Sequence, residues 1–171
     1  MTQVPISAFA PTLNRITQVI LFCYSGVMHL EAFTKDYIAE LASWFQEPVE
    51  GNKFIDYYKD PEEWLKLVES RPERRTFIAT ESGQIIGFVD VEFDNDSDVS
   101  FAFGVKPELR GKGFGRKLLN EVVDYAQGHN AKTIRGGVEK KNIACSRLLE
   151  SAGFLPTVHD DEITEYIKQL T

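Results

Sequence analysis

From residue 29 onward the apolar positions switch between a period of two and a period of three to four, and the switches mark a succession of strands and helices. Residues 29–33 read as a short strand. Asp36 then starts a helix whose apolar residues Tyr37, Ile38, Leu41, Trp44 and Phe45 recur at helical spacing. A second helix begins at Asp60, a good N-cap, with Pro61 at the first helical position, where a missing N–H is harmless. Glu62 and Glu63 sit beside the positive end of its dipole. It stops near Ser70, before Pro72. Three strands follow over 76–80, 85–93 and 99–105, with a Ser82-Gly83 turn after the first and a polar loop, 94–98, after the second. A Gly-rich turn at 110–115 opens a helix that aligns Leu118, Leu119, Val122, Val123 and Ala126 on one face, with Gly128 as its C′ residue. Then come a strand over 133–138 and a short helix capped by Asn142, carrying Ala144, Leu148 and Leu149 and ended by Gly153. Two closing strands, 154–158 and 163–167, form a hairpin around 159–162. Strand–helix units flanking a β-meander predict a mixed α/β (α+β) domain.

Composition places this pattern in one soluble globular domain: 171 residues, 43% hydrophobic and 26% charged. A chain of this length buries roughly two thirds of its unfolded surface, so neither disulfides nor a structural metal is needed to hold a core. Cys23 and Cys145 form no CxxC pair and His29, His129 and His159 are scattered, so no metal site is expected. A reducing cytoplasm is the expected compartment.

The first 27 residues stand apart. They contain no Asp or Glu and one base, Arg15. The apolar run 19–27 resembles the core of a secretory signal, but it is far short of the ~20 residues that span a bilayer and a single Arg is a poor leader, so no membrane association is expected. Residues 16–24 add a strand or arm, or Met28 is the working start and residues 1–27 are a dispensable extension. Residues 28–171 are then one domain.

The net charge of −7 argues against a general nucleic-acid binder. Its distribution is more telling. Asp90, Glu92, Asp94, Asp96 and Asp98 crowd acid into nine residues, whereas Lys106, Arg110, Lys112, Arg116 and Lys117 surround a single acid, Glu108. A basic knot in an acidic chain asks for a small anionic partner. Glycines at 111, 113 and 115 let the backbone turn tightly from a strand ending before Pro107 into a helix, whose first amides have no acceptor within the helix. Such a turn is a phosphate cradle. It is not a P-loop, since no Ser or Thr follows a Gly-Lys pair, and not the dinucleotide GxGxxG, since Leu118 stands where the last Gly belongs.

Arg110-x-x-Gly113-x-Gly115, after a strand ending Val105-x-Pro107, is followed about thirty residues later by an Asn142-led helix ending in Gly153-Phe154. Together these motifs closely resemble the GNAT superfamily of acetyl-CoA-dependent N-acetyltransferases, over roughly residues 29–169. The resemblance implies a twisted, mostly antiparallel sheet of six to seven strands, about four helices, and a splay between the fourth and fifth core strands. It implies that Arg110, Gly111, Lys112, Gly113, Phe114 and Gly115, with Arg116 nearby, hold the pyrophosphate of coenzyme A. The pantetheine arm is expected to pair with backbone from Phe103 to Val105 and with Asn142, and to be lined by Cys145 and Ser146; Asn142 also reads as a plain helix cap. A homodimer is common in the family.

The implied reaction is direct attack of an amine on the acetyl thioester, which needs a neutral amine, a polarised carbonyl and a proton for the leaving thiolate. Leu149 occupies the position where much of the family has a Tyr acid. The chain thereby leans toward the amino-terminal and ribosomal-protein acetyltransferases, which tend to carry an aliphatic residue there and a Ser where this chain has Cys145. Cys145 is the candidate acid, since an ordinary thiol pKa of ~8.5 permits proton delivery; the plain alternative is a small buried residue. Val99 and Ser100 stand where many relatives carry a base Glu, which leaves Asp98 and Glu139 as candidate bases, or as solvated loop charges. Deprotonating a Lys amine of pKa ~10.4 at pH 7 costs about 4.6 kcal/mol, against about 1.1 for an α-amine near 7.8. A site without a strong base is therefore expected to favour an α-amino group or a small polyfunctional amine. The aromatic residues Trp44, Phe45, Tyr57, Tyr58, Trp64 and Tyr166 form the acceptor pocket or simply the core. The acidic run 90–98 faces a cationic acceptor or is a solvated turn. The competing reading is a coenzyme-A-binding sensor or interaction module that kept the cradle and lost turnover.

Overall fold

Asp60 accepts hydrogen bonds from the amides of Glu62 and Glu63, both at 3.1 Å, and so starts a helix at Pro61 as its sequence dictates. The computed structural model describes residues 27–45 and 59–171, with the backbone only at Val158 and His159. The strand or arm expected over 16–24, Cys23, Tyr57 and Tyr58 lie outside the described residues. In chain order the elements are β1 (Met28–Ala32), a 3-10 turn (Lys35–Tyr37), α1 (Ile38–Trp44), α2 (Pro61–Ser70), β2 (Arg74–Glu81), β3 (Gln84–Phe93) and β4 (Asp98–Val105). A second 3-10 turn (Pro107–Leu109), α3 (Phe114–Gly128), β5 (Thr133–Glu139), α4 (Ile143–Ser151), β6 (Leu155–His159) and β7 (Ile163–Gln169) complete the described chain.

Two boundaries differ from the sequence reading. The first helix opens as a 3-10 turn capped by Thr34, whose hydroxyl accepts from the Asp36 amide at 3.4 Å, so Asp36 lies inside the turn. Gly128 belongs to α3, and Asn130 takes the left-handed C′ position at φ 63°. The Asn130 amide donates to Gln127 and that of Ala131 to Ala126, a Schellman closure that satisfies the last carbonyls. Asn serves there because its short polar side chain tolerates the left-handed region. At the end of α4, Gly153 closes the same motif at φ 83°, as its sequence position predicts.

The seven strands form one sheet in the order β1-β2-β3-β4-β5-β7-β6, antiparallel except between β4 and β5. Ser82 and Gly83 both take positive φ, the type I′ geometry of a two-residue hairpin. One face carries α3 and α4. There Leu118, Leu119 and Val122 are fully buried among Val89, Val91, Val99 and Ile134, each larger side chain contributing roughly 1.5–3 kcal/mol. The other face carries α1 and α2, with Leu41, Trp44 and Trp64 on Phe33, Ile78 and Phe88. Trp64 packs tilted against Phe33, with ring centres 4.7 Å apart, and meets Phe88 edge-on at 5.0 Å.

The parallel pair decides where a ligand fits. β4 and β5 are in register only over Asp98–Thr133, Val99–Ile134 and Ser100–Arg135. Beyond that point β4 stays with β3 as far as Val105, and β5 stays with β7 as far as Glu139. The sheet therefore opens into a V whose apex is filled by the Phe101 ring against Gly136 and Phe154. The gap runs toward the C-terminal ends of both strands, where the Gly-rich turn and the start of α4 stand.

Candidate functional site

A cavity of about 720 Å³ occupies the V. Phe103, Val105, Gly115 and Arg116 line it from β4 and α3; Arg110, Gly111 and Gly113 line it from the turn. Glu139, Asn142 and Cys145 close it from β5 and α4. Trp44, Phe45, Phe88 and Ala102 line it from the opposite face of the sheet, so the opening joins both faces. Lys112 and Phe114 belong to the turn but do not line the cavity. Asp98 does not line it either: it begins β4 at the closed end, seven residues before Val105, and hydrogen bonds from Asn95 and Thr133 hold its carboxyl below the usual range. Of the two candidate bases, only Glu139 lines the cavity.

Gly113 caps α3 at φ 88°, a conformation that costs an L side chain roughly 1–2 kcal/mol, and no side chain caps the helix. The first turn of α3 carries no acid either. Its amides and dipole are thus left for an anion. The basic knot divides in two. Lys106 turns to Glu40 on α1, 2.5 Å away, and Lys117 to Glu81 at 2.5 Å. Arg110, Lys112 and Arg116 pair with no carboxylate among the described residues. Arg110 donates to the Val105 carbonyl at 3.3 Å, and Arg116 is held by the Ser151 hydroxyl at 2.7 Å.

The acidic run is also spoken for. Asp90, 4% exposed, takes a two-pronged ion pair from Arg74 and a 2.7 Å bond from Thr76. Glu92 pairs with Arg71 at 3.2 Å and Asp94 with Arg135 at 3.0 Å. None of the five carboxylates of the run lines the cavity.

Glu139 ends β5 only 8% exposed and on the cavity wall. Asn142 Oδ1 accepts from the Cys145 amide at 3.1 Å, fixing the start of α4 and leaving the side-chain NH2 free to donate. Burial pushes the Cys145 thiol up to about 11. Passing its proton to a thiolate of ordinary pKa ~8.5 would run uphill by about 3 kcal/mol, which weighs against the acid role expected from its sequence position; Cys145 lines the cavity wall. Leu149, 1% exposed, brings no hydroxyl to the same wall. Tyr166 is buried elsewhere, its hydroxyl donating to Glu150 at 3.1 Å. Three lining features escaped the sequence reading. Phe88 gave no signal, while Gly104 and the Gly136-Gly137 pair, glycines inside strands, mark close backbone approach.

A parallel strand pair parted beside an anion-ready helix start is a place suited to a ligand with a phosphate tail. Residues 38–154 match the model of the acetyltransferase (GNAT) family, and the chain belongs to that family. It is accordingly an acyltransferase. The acetyltransferase PseH of Campylobacter jejuni is 29% identical over 111 residues, 64% of this chain and 68% of that one. The spermidine N(1)-acetyltransferase of Vibrio cholerae is 29% identical over 122 residues, 70% of this chain and 68% of that one. The L-amino acid N-acyltransferase MnaT of Escherichia coli is 30% identical over 127 residues, 71% and 69% of the two chains. The crystal structure of PseH in complex with acetyl coenzyme A shares the fold, with a TM-score of 0.70 and 21% identity, covering 85% of this chain and all of that one. Among the described residues no helix is long and apolar enough to cross a membrane.

Proposed function

We propose that the chain transfers the acetyl group of acetyl-CoA to a primary amine by direct attack, with an α-amino group or a small polyfunctional amine as the preferred acceptor. The observation that carries this reading is the V-shaped gap, which joins an uncapped, base-flanked helix start on one face to an aromatic wall on the other. The pyrophosphate sits on the amides of the 110–115 turn beside Arg110, Lys112 and Arg116. The pantetheine arm lies along the open edge of β4 from Phe103 to Val105, with the Asn142 amide donating to it. The amine approaches from the Trp44, Phe45 and Phe88 side.

Glu139 is the base of this scheme: a carboxylate on the cavity wall at the end of β5, able to take the ammonium proton directly or through one water. Attack of the neutral amine on the carbonyl carbon forms the C–N bond and breaks the C–S bond, releasing the coenzyme thiolate, and the proton that the attacking nitrogen then sheds passes to water. Among the described residues the wall carries no hydroxyl to donate to that thiolate. The positive end of α4, whose first residues line the cavity, offsets its charge until solvent protonates it.

A carboxylate with only modest driving force suits amines that are already partly neutral, as the difference of about 3.5 kcal/mol between a lysine amine and an α-amine at pH 7 dictates. A relative named for L-amino acids and one named for spermidine support small acceptors. The test is thiol release from acetyl-CoA over a panel of amino acids, short peptides, polyamines and Nα-blocked lysine. Higher kcat/KM on α-amines or small polyamines is expected; equal or higher values on blocked lysine overturn the preference. Tight acetyl-CoA binding without release on any amine identifies a binding module instead.

A further inference from the structure

Glu40 is outside the cavity, yet its carboxylate holds two groups that shape it. One oxygen, Oε1, accepts from Trp44 Nε1 at 3.1 Å and from Lys106 Nζ at 2.5 Å. Trp44 is 6% exposed and forms the acceptor-side wall. Lys106 is the residue between β4 and the donor-binding turn; its own amide donates to Ile86 at 2.8 Å, and Pro107 follows it. The two contacts do different work. The first is an i to i+4 bond on α1 that fixes the indole about its last torsion, since the N–H of a mostly buried ring needs an acceptor. The second fastens α1, a helix of seven residues, to the end of β4. Without it, α1 is held on this face by Leu41 and Trp44 packing among the aromatic rings.

We propose that Glu40 is a positioning residue for the acceptor: it sets the Trp44 wall in register with the β4 edge along which the acetyl donor lies. This rests on the transferase reading above. The carboxylate touches neither substrate, so its effect passes through Trp44 and Lys106. It alters how well the amine is placed, not how tightly the coenzyme tail is held, because the pyrophosphate contacts come from residues 110–116.

The test compares Glu40→Ala, Glu40→Gln, Trp44→Phe and the Glu40→Ala/Trp44→Phe double variant. For Glu40→Ala the expected result is an amine KM raised about tenfold, the scale of one lost charge-assisted hydrogen bond, with acetyl-CoA affinity within about twofold of the parent. Glu40→Gln, which still offers the indole an oxygen but loses the pair with Lys106, shows a smaller rise. The double variant is no worse than the poorer single, since both remove one arrangement. An unchanged amine KM in Glu40→Ala, equal losses for amine and acetyl-CoA, or additive losses in the double variant overturn the proposal. Failure of the transferase reading is distinguished by the parent protein releasing no thiol on any amine. The wall is then read by 19F NMR of 5-fluorotryptophan protein, which has two tryptophans, with Trp64 as internal reference. Glu40→Ala is expected to shift or broaden the Trp44 signal only; an unmoved Trp44 signal overturns the proposal.

Discussion

The Phe88 ring lies flat enough on the backbone of Gly104 that a Cβ there would stand 2.4 Å from a ring carbon. The two residues face each other across β3 and β4 in direct register. Phe88 is also wedged against Trp64, so the ring has little room to retreat except toward the cavity it lines. Gly104→Ala is therefore expected to destabilise the fold by about 1–3 kcal/mol and to raise the amine KM more than the acetyl-CoA KM. Adding Phe88→Leu should return most of the stability. Denaturant unfolding of the single and double variants checks this, and no recovery in the double would show that the clash lies elsewhere.

A Cβ at Gly113 would meet nothing within 4 Å, so Gly113→Ala is strained only by its φ of 88°. The cradle is expected to weaken as the α3 amides rotate off the phosphates, and Arg110→Ala removes one of the three bases free of carboxylates. Titration calorimetry with acetyl-CoA should show each variant weakened and the double variant without detectable binding. Full affinity in the double would place the pyrophosphate outside this turn.

Asn142 can be split into its two roles. Asn142→Ala loses the cap on Cys145 and should cost about 1 kcal/mol of stability as well as coenzyme affinity. Asn142→Asp keeps the cap and loses the NH2 donor, so stability stays near the parent value while acetyl-CoA affinity falls. If the Asp variant binds as the parent does, Asn142 is a helix cap and nothing more.

Glu139→Gln keeps the size of the side chain and removes its basicity. A fall of about 10²–10⁴ in kcat/KM is expected, with acetyl-CoA binding unchanged. The loss should shrink for amines of lower pKa, which need less help to become neutral. A uniform loss across the amine series would make Glu139 a binding group.

Burial raises the Cys145 thiol to about 11, so the neutral form is favoured up to that pH. Its contribution to stability is present below the ordinary thiol range and is lost as pH rises through about 11. At pH 8 its thiolate fraction is about 200 times smaller than that of an ordinary thiol of pKa ~8.5. Iodoacetamide should modify Cys145 slowly in a Cys23→Ser background, and coenzyme A should slow it further. Alkylation at the rate of a free thiol would contradict the burial.

The sequence determined the element order, because each element carries its own local instruction: Asp60-Pro61 to start α2, Ser82-Gly83 to turn β2 into β3, Asn142 and Gly153 to bracket α4. It also made the candidate cradle visible, since a phosphate site built from backbone amides needs glycines and bases close together in the chain, as at residues 110–116. Where local signals compete they misled, as at Gly128, two residues before the Asn130 that turns the chain. The far wall of the cavity was less legible: Trp44, Phe45 and Glu139 were separate candidates in the sequence and Phe88 gave no signal, and they share one cavity only because β4 and β5 part after Ser100. The charges show the same division most clearly. Composition counts Lys106 and Lys117 with the cradle and the run from Asp90 to Asp98 with a cationic ligand, but tertiary packing pairs both lysines with Glu40 and Glu81 and binds Asp90, Glu92 and Asp94 to arginines. A charge acts over the few ångströms to its nearest partner, and only the folded chain decides which partner that is.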